Sequence, residues 1–172
     1  MPQGDYLRDP AAIYRASFAA IRREAAIDRL PPALQPVALR LIHACAMPDI
    51  LADLAWTEDA MSAGREALAA GRPVLVDSTM VEAGIRQGSL PAGNPILCRL
   101  HDAATATLAA ARSTTRAAAA VDLWRDDLGG AIVAIGNAPT ALFRLLEVLE
   151  EGAPAPAVVL AFAVGFVGAA EA

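Results

Sequence analysis

The sequence predicts an α/β fold: a doubly wound parallel sheet with helices on both faces, behind a helical N-terminal lead-in. Three observations predict it. After residue 72, four short apolar runs recur, each bounded by turn residues. A helical pattern, or a turn that opens one, follows each run, and such alternation implies parallel pairing through right-handed crossovers. The runs are apolar at nearly every position, as strands buried on both faces should be. A chain of 172 residues fits one domain at roughly 150 residues each. That domain spans 1–172, with 1–72 mainly helical and 73–172 built of βα units.

The lead-in comes first. Asp9-Pro10 reads as an N-cap followed by proline in the first helical turn. The helix runs to about Ile27, with Ile13, Phe18, Ile21 and Ala25 on one face, and Pro31-Pro32 breaks the chain after it. A second helix covers about Gln35 to Ala46, with Val37, Leu41 and Ala44 inward, and Pro48 punctuates it. A third begins at Thr57 and ends at Gly71, the residue type that favours the position after a helix end. The strands are Pro73–Asp77, Ile96–Leu100, Ala131–Gly136 and Ala157–Ala161. The helices between and after them cover about Ser78–Ile85, Ala103–Ala111, Thr115–Leu128 and Pro139–Glu151.

Composition excludes several classes. The chain is 56% hydrophobic and 19% charged, with mean hydropathy +0.42, which rules out disorder. The excess is alanine, at 42 residues, the best helix former. All 14 basic residues are arginine, so Schiff-base and P-loop lysine chemistry is impossible. A net charge of −5 argues against nonspecific nucleic-acid binding. An anionic ligand must be met by arginines, whose planar fork suits carboxylates. Cys45 and Cys98 form no CxxC and read as reduced thiols of a cytoplasmic protein. Asp5, Arg8 and Asp9 break any N-terminal apolar signal. The uncharged stretch Ala153–Ala170 approaches the length of a membrane span, but Pro154, Pro156, Gly165 and Gly168 interrupt it. It reads as a buried strand and a glycine turn, with no membrane contact.

Doubly wound sheets bind ligands at the carboxyl ends of their strands. Here those ends include Asp77-Ser78-Thr79, Leu100-His101-Asp102, Gly136-Asn137-Ala138-Pro139-Thr140 and Val164–Gly168. In the third, Asn137 can cap, Pro139 fits a first turn, and free N–H groups favour an anion; an ordinary strand-to-helix turn reads equally well. Two histidines offer acid–base chemistry near neutral pH. His43 lies mid-helix among apolar and small residues, where a buried structural role is the plain alternative; His101 lies in a loop. His43 and Cys45 are two apart and share no helix face, so no metal site is expected. No GxSxG elbow is present. Arg112 and Arg116, four apart, fall on one helix face, either as solvated charge or as a carboxylate clamp.

Several segments together resemble the precorrin-8X methylmutases of cobalamin biosynthesis. They are Tyr6-Leu-Arg-Asp9, Ile13-Tyr14, Ser17-Phe18, Ile42-His43-Ala44-Cys45, Asp77 with Met80-Val81, Leu90-Pro-Ala-Gly-Asn94 and Thr115-Arg116. The most specific are Val133-Ala-Ile-Gly-Asn-Ala-Pro-Thr-Ala-Leu-Phe143 and Val164-Gly-Phe-Val-Gly-Ala-Ala-Glu171. The resemblance implies a flavodoxin-like fold and a cytoplasmic homodimer. It implies an isomerase that moves a methyl group from C-11 to C-12 of a tetrapyrrole by an acid-assisted 1,5-sigmatropic shift. The product is hydrogenobyrinic acid, or cobyrinic acid from cobalt-precorrin-8. No cofactor is implied, and cobalt enters only with the substrate. His43 matches the family's catalytic histidine and Ser17 a substrate contact. Position and chemistry add Tyr14, Arg40, Arg116 and Asn137, with Arg40 three residues before His43 on the same helix face. Ala46 stands where the family usually has glycine, Val76 where it has cysteine, His101 where it has arginine, and Ala163 where it has proline. Family chains continue about a strand and a helix beyond the Gly-Ala-Ala-Glu stretch, so the strand at Ala157–Ala161 is expected to have an open edge. The alternative reading is a shortened, non-catalytic tetrapyrrole binder. A generic flavodoxin-like anion binder is a third.

Overall fold

Apolar spacing and capping chemistry set the helices, and they do so in a computed structural model that describes residues 6–169 and 171. The chain divides into two compact units, one ending at Met61 and one beginning at Ser62.

In the first unit, helix α1 spans Pro10–Glu24. Asp9 caps it, its carboxylate accepting the Ala12 N–H at 2.7 Å, and Pro10 fills the first turn where no donor is needed. A 3-10 turn at Ile27–Arg29 leads to α2, Gln35–Cys45. A second 3-10 turn follows at Pro48–Ala52. The core of this unit is Ile21, Ala25, Ile27, Ala38, Leu39 and Ile42, with Phe18, Leu30, Ile50 and Leu51 packed on it.

Two expected faces are corrected. Ile13 is exposed. On α2 the buried residues are Ala38, Leu39 and Ile42, while Val37 and Leu41 are half-buried and Ala44 is exposed. This helix is apolar on more than one side, and the packing partner, not the periodicity, selects the face. Ala46, where the resemblance has glycine, ends α2 in the left-handed region with φ 56° and ψ 29°. That conformation costs a residue with a Cβ about 1–2 kcal/mol.

The second unit holds the sheet. Its elements are α3 (Ala60–Ala69), β1 (Val74–Val76), α4 (Thr79–Gly84), β2 (Ile96–Cys98) and α5 (Ala103–Arg112), then α6 (Arg116–Asp122), β3 (Ile132–Ile135), α7 (Pro139–Glu150) and β4 (Val158–Ala161). The strands are all parallel, in the order β2-β1-β3-β4. Side chains alternate across the sheet with a period of two. Leu75, Val133 and Ile135 pack on one face against Val121, Trp124, Leu142, Leu145 and Val148. Val74, Val76 and Ile132 pack on the other against Ala67 of α3, with Val81 and Ile85 beside them. Both faces are covered over β1 and β3, so the predicted doubly wound parallel sheet is present, in the flavodoxin-like order. β4, expected as a buried strand, is instead half-buried at Val158 and Val159 and exposed at Leu160 and Ala161, because it lies at the edge of the sheet. Buried Asn94 fixes the approach to β2, donating to the Leu68 and Arg72 carbonyls at 2.9 and 2.8 Å.

The third helix begins at Ala60 rather than Thr57. The helix expected over Thr115–Leu128 ends at Asp122 and continues as turns to Asp127. Arg112 and Arg116 do not share a helix: Ser113, at φ 51°, breaks the chain between α5 and α6. Among the described residues no helix is long and apolar enough to cross a membrane. The uncharged C-terminal stretch is β4 followed by glycine-containing turns.

Candidate functional site

In the first unit, α1 and α2 bring together residues 26 apart in sequence. Tyr14, Ser17 and Phe18 lie within about a turn of each other on α1; Arg40 and His43 are one turn apart on α2. Ser17 Oγ and His43 Nδ1 share a hydrogen bond of 2.8 Å. The Tyr14 ring lies 5.0 Å from the imidazole, tilted by 53°. Phe18 lies at 5.3 Å, edge-on at 88°. The two aromatic rings are themselves 4.7 Å apart. Arg40 donates to the Tyr14 hydroxyl at 3.3 Å.

This arrangement does two things chemically. The aromatic pair restricts the imidazole's rotation. Ser17 occupies Nδ1: its hydroxyl donates there when the neutral ring carries its proton on Nε2, and accepts from Nδ1–H in the other neutral tautomer or when the ring is charged. Either way Nε2 is left as the nitrogen free to exchange a proton outward. The imidazole is exposed, so the buried structural role that its sequence neighbours allowed does not apply. Phe18 belongs to this cluster and was not among the candidates. The signal was its place in Ser17-Phe18, one helical turn after Tyr14. A separate open cleft of about 540 Å³ in this unit is lined by Ala25, Leu30, Pro48 and Leu51 among others, and by none of the candidate residues.

In the second unit the other candidates lie at the carboxyl edge of the sheet. Asn137 is exposed. It does not cap α7, whose N-cap position is Ala138 with no side-chain bond; Pro139 does occupy the first turn. The N–H groups expected to be free for an external anion are taken. Asp77, 1% exposed, accepts from Gly136 N at 3.1 Å, Asn137 N at 3.0 Å and Ala138 N at 2.6 Å. The anion at this turn is the protein's own carboxylate, which sequence spacing could not reveal across 60 residues.

Arg116 opens α6 with its side chain exposed and no ion pair among the described residues. Thr115 beside it caps α6 through the Ala118 N–H at 3.1 Å. Its hydroxyl also pairs with that of Thr140 at 2.8 Å. Arg112 is engaged elsewhere, donating to Asp122 at 2.6 Å, so no Arg112–Arg116 clamp forms. Asp122 also receives Arg144 at 2.7 and 3.1 Å, and Arg144 reaches Glu147 and Glu151 at 2.8 Å each. Arg125 pairs with Glu151 as well. Asp122, then Glu151, hold the Arg144 guanidinium above its usual range. These charges tie α5, α6 and α7 together. His101 is exposed and makes no polar contact among the described residues, and no group of three or more His, Cys, Asp or Glu is placed to hold a metal among them.

Known proteins align with this chain along nearly its whole length. The family model for precorrin-8X methylmutase matches residues 12–172. A precorrin-8X methylmutase of Pseudomonas aeruginosa is 52% identical over 167 residues, covering 97% of this chain and 80% of its own. One from a Sinorhizobium species is 50% identical over 171 residues, covering 99% of this chain and 81% of its own. The crystal structure of a precorrin-8X methyl mutase from Thermus thermophilus superposes with TM-score 0.82 at 38% identity, over 94% of this chain and 78% of that one.

Proposed function

Because this chain belongs to the precorrin-8X methylmutase family and is an isomerase of cobalamin biosynthesis, we propose that His43 is the acid that drives its methyl shift. The observation that carries this reading is the exposed imidazole, with Ser17 on Nδ1 and aromatic rings beside it.

The substrate is the precorrin-8X macrocycle that the two half-identical relatives are named for, and cobalt takes part only as cargo of that macrocycle. The step is internal to the macrocycle. The bond from the methyl group to C-11 breaks as the bond to C-12 forms, and the double bonds shift to match. Nε2 of His43 lends a proton to the ring system and recovers one when the rearranged tautomer forms. No oxidant, reductant or methyl donor enters. General acid catalysis of this kind contributes about 10²–10⁴-fold. Holding a flexible ring in one reactive shape contributes the rest.

Ser17 orients the imidazole. Tyr14 packs at a tilt beside the imidazole and steadies Arg40, and Arg40 takes a peripheral carboxylate beside the acid. Arg116 and Asn137 meet further acetate and propionate groups, arginine standing in for lysine throughout. The protein works as a homodimer in the cytoplasm, with the macrocycle as its small-molecule partner.

The test is conversion of purified precorrin-8X, followed by absorbance, in wild type and in His43→Ala. The expected result is turnover in the wild type, and binding without turnover in the variant. Unchanged conversion in His43→Ala overturns the role given to the imidazole. A wild type that binds the product tightly and never turns over makes the protein a carrier instead.

A further inference from the structure

In a sheet ordered β2-β1-β3-β4 the winding reverses between β1 and β3, and folds of this order place their ligands at the carboxyl ends of those strands. In this chain that place is filled from within. Asp77 follows β1, and its carboxylate accepts the three successive N–H groups of Gly136, Asn137 and Ala138 that follow β3. Backbone donors at a helix start are the usual means of holding a ligand's phosphate. Here the acceptor is a buried side chain.

The turn is confined from a second side. A Cβ at Gly136 would fall 2.7 Å from Val81 Cγ2, so only glycine fits against α4. Hydrogen bonds carry the restraint outward. The Asn137 carbonyl accepts the Val164 N–H at 3.1 Å. Thr140, in the first turn of α7, shares its hydroxyl with Thr115 at 2.8 Å, and Thr115 is the cap of α6, next to Arg116. Asn137 and Arg116 are thus both set by one connected framework, and Asp77 anchors it.

We propose that Asp77 is a positioning residue for substrate recognition. Its carboxylate takes the place of a ligand anion, closes the switch point to phosphate-bearing molecules, and fixes the turn so that Asn137 and Arg116 face the substrate's carboxylates. The recognition half of this proposal rests on the reading of those two residues as substrate contacts. The anion half does not.

Two variants test it. Asp77→Asn keeps the size but turns a donor toward donors. Its KM for precorrin-8X is expected to rise roughly tenfold to a hundredfold, the scale of losing one hydrogen bond to a substrate carboxylate, while kcat stays close to wild type. A merely structural residue would lower the active fraction, so that kcat falls and KM holds; that result overturns the proposal. Asp77→Gly opens the anion place. Sodium formate should raise its melting temperature and lower its KM, sodium chloride at equal ionic strength should do neither, and the wild type should ignore both. A variant indifferent to formate overturns the proposal. If neither variant folds unaided, recovery of folded Asp77→Gly in formate supports the anion role, and no recovery refutes it. If the wild type fails to turn over precorrin-8X, the methylmutase chemistry falls, but the formate-dependent melting still decides the role of Asp77.

Discussion

Ser17→Ala isolates the one polar contact that orients the proposed acid. The substitution removes Oγ from 2.8 Å of His43 Nδ1 and leaves Tyr14 and Phe18 in place at 5.0 and 5.3 Å. A neutral hydrogen bond contributes about 0.5–1.5 kcal/mol net, and about 1.4 kcal/mol is a tenfold change in rate. With the aromatic pair still limiting rotation, kcat should fall by up to about tenfold. That is well short of the roughly 10²–10⁴-fold expected for His43→Ala. Single-turnover absorbance with enzyme in excess separates this step from binding, and Ser17→Thr, which restores a hydroxyl, should recover most of the rate. If Ser17→Ala loses as much as His43→Ala, the hydroxyl acts in the chemistry itself. If it loses nothing, the rings alone hold the imidazole.

Three further outcomes follow from other parts of the structure. Ala46→Gly should stabilise the protein by about 0.5–1 kcal/mol, since relief of the left-handed strain, about 1–2 kcal/mol, exceeds the added freedom of the unfolded chain, about 0.4–1 kcal/mol; a lower midpoint in urea refutes it. Arg144, and after it Arg125, hold the Glu151 carboxyl below the usual carboxylate range. Its folded value is below the unfolded one, so its contribution is complete above the unfolded value, near 4.3, and fades as the pH falls through the folded one. Wild type should therefore melt above Glu151→Gln at pH 7, with the gap closing below about pH 4, and a gap that widens in acid contradicts this. Burial, its largest cause, pushes the Cys98 thiol up, whereas Cys45 is exposed. Iodoacetamide at mildly alkaline pH should label Cys45 first by peptide mass spectrometry, and faster labelling at Cys98 would contradict the burial.

Strand identity was legible because Val74, Leu75 and Val76, or Ile132 to Ile135, are too short and too apolar for anything but buried strands between turn residues. Parallel order followed from the helices between them. What could not be read were facts set by neighbours distant in the chain. Val37, Ala38, Leu39, Leu41 and Ile42 offer α2 two plausible inward faces, and the choice depends on α1. Arg112 and Arg116 look like one helical pair until Ser113 turns left-handed. The turn at Gly136–Ala138 looks vacant because its occupant, Asp77, precedes it by some 60 residues. The site divides the same way. Resemblance singled out His43 and Ser17, but only the meeting of two helices shows that they bond to each other and that Phe18 shares their surroundings.

The helix pair that carries His43 has its own small core, Ile21, Ala25, Ile27, Ala38, Leu39 and Ile42, while Trp124 is sealed in a larger one with Leu75, Val133 and Leu145. Opening free energies follow such differences in local packing. Mild heating of a Trp56→Phe variant, which leaves Trp124 as the single indole, should therefore silence the enzyme first, while fluorescence from Trp124 still reports an intact sheet. For anyone storing or assaying this protein, a folded spectrum is no certificate of a working catalyst.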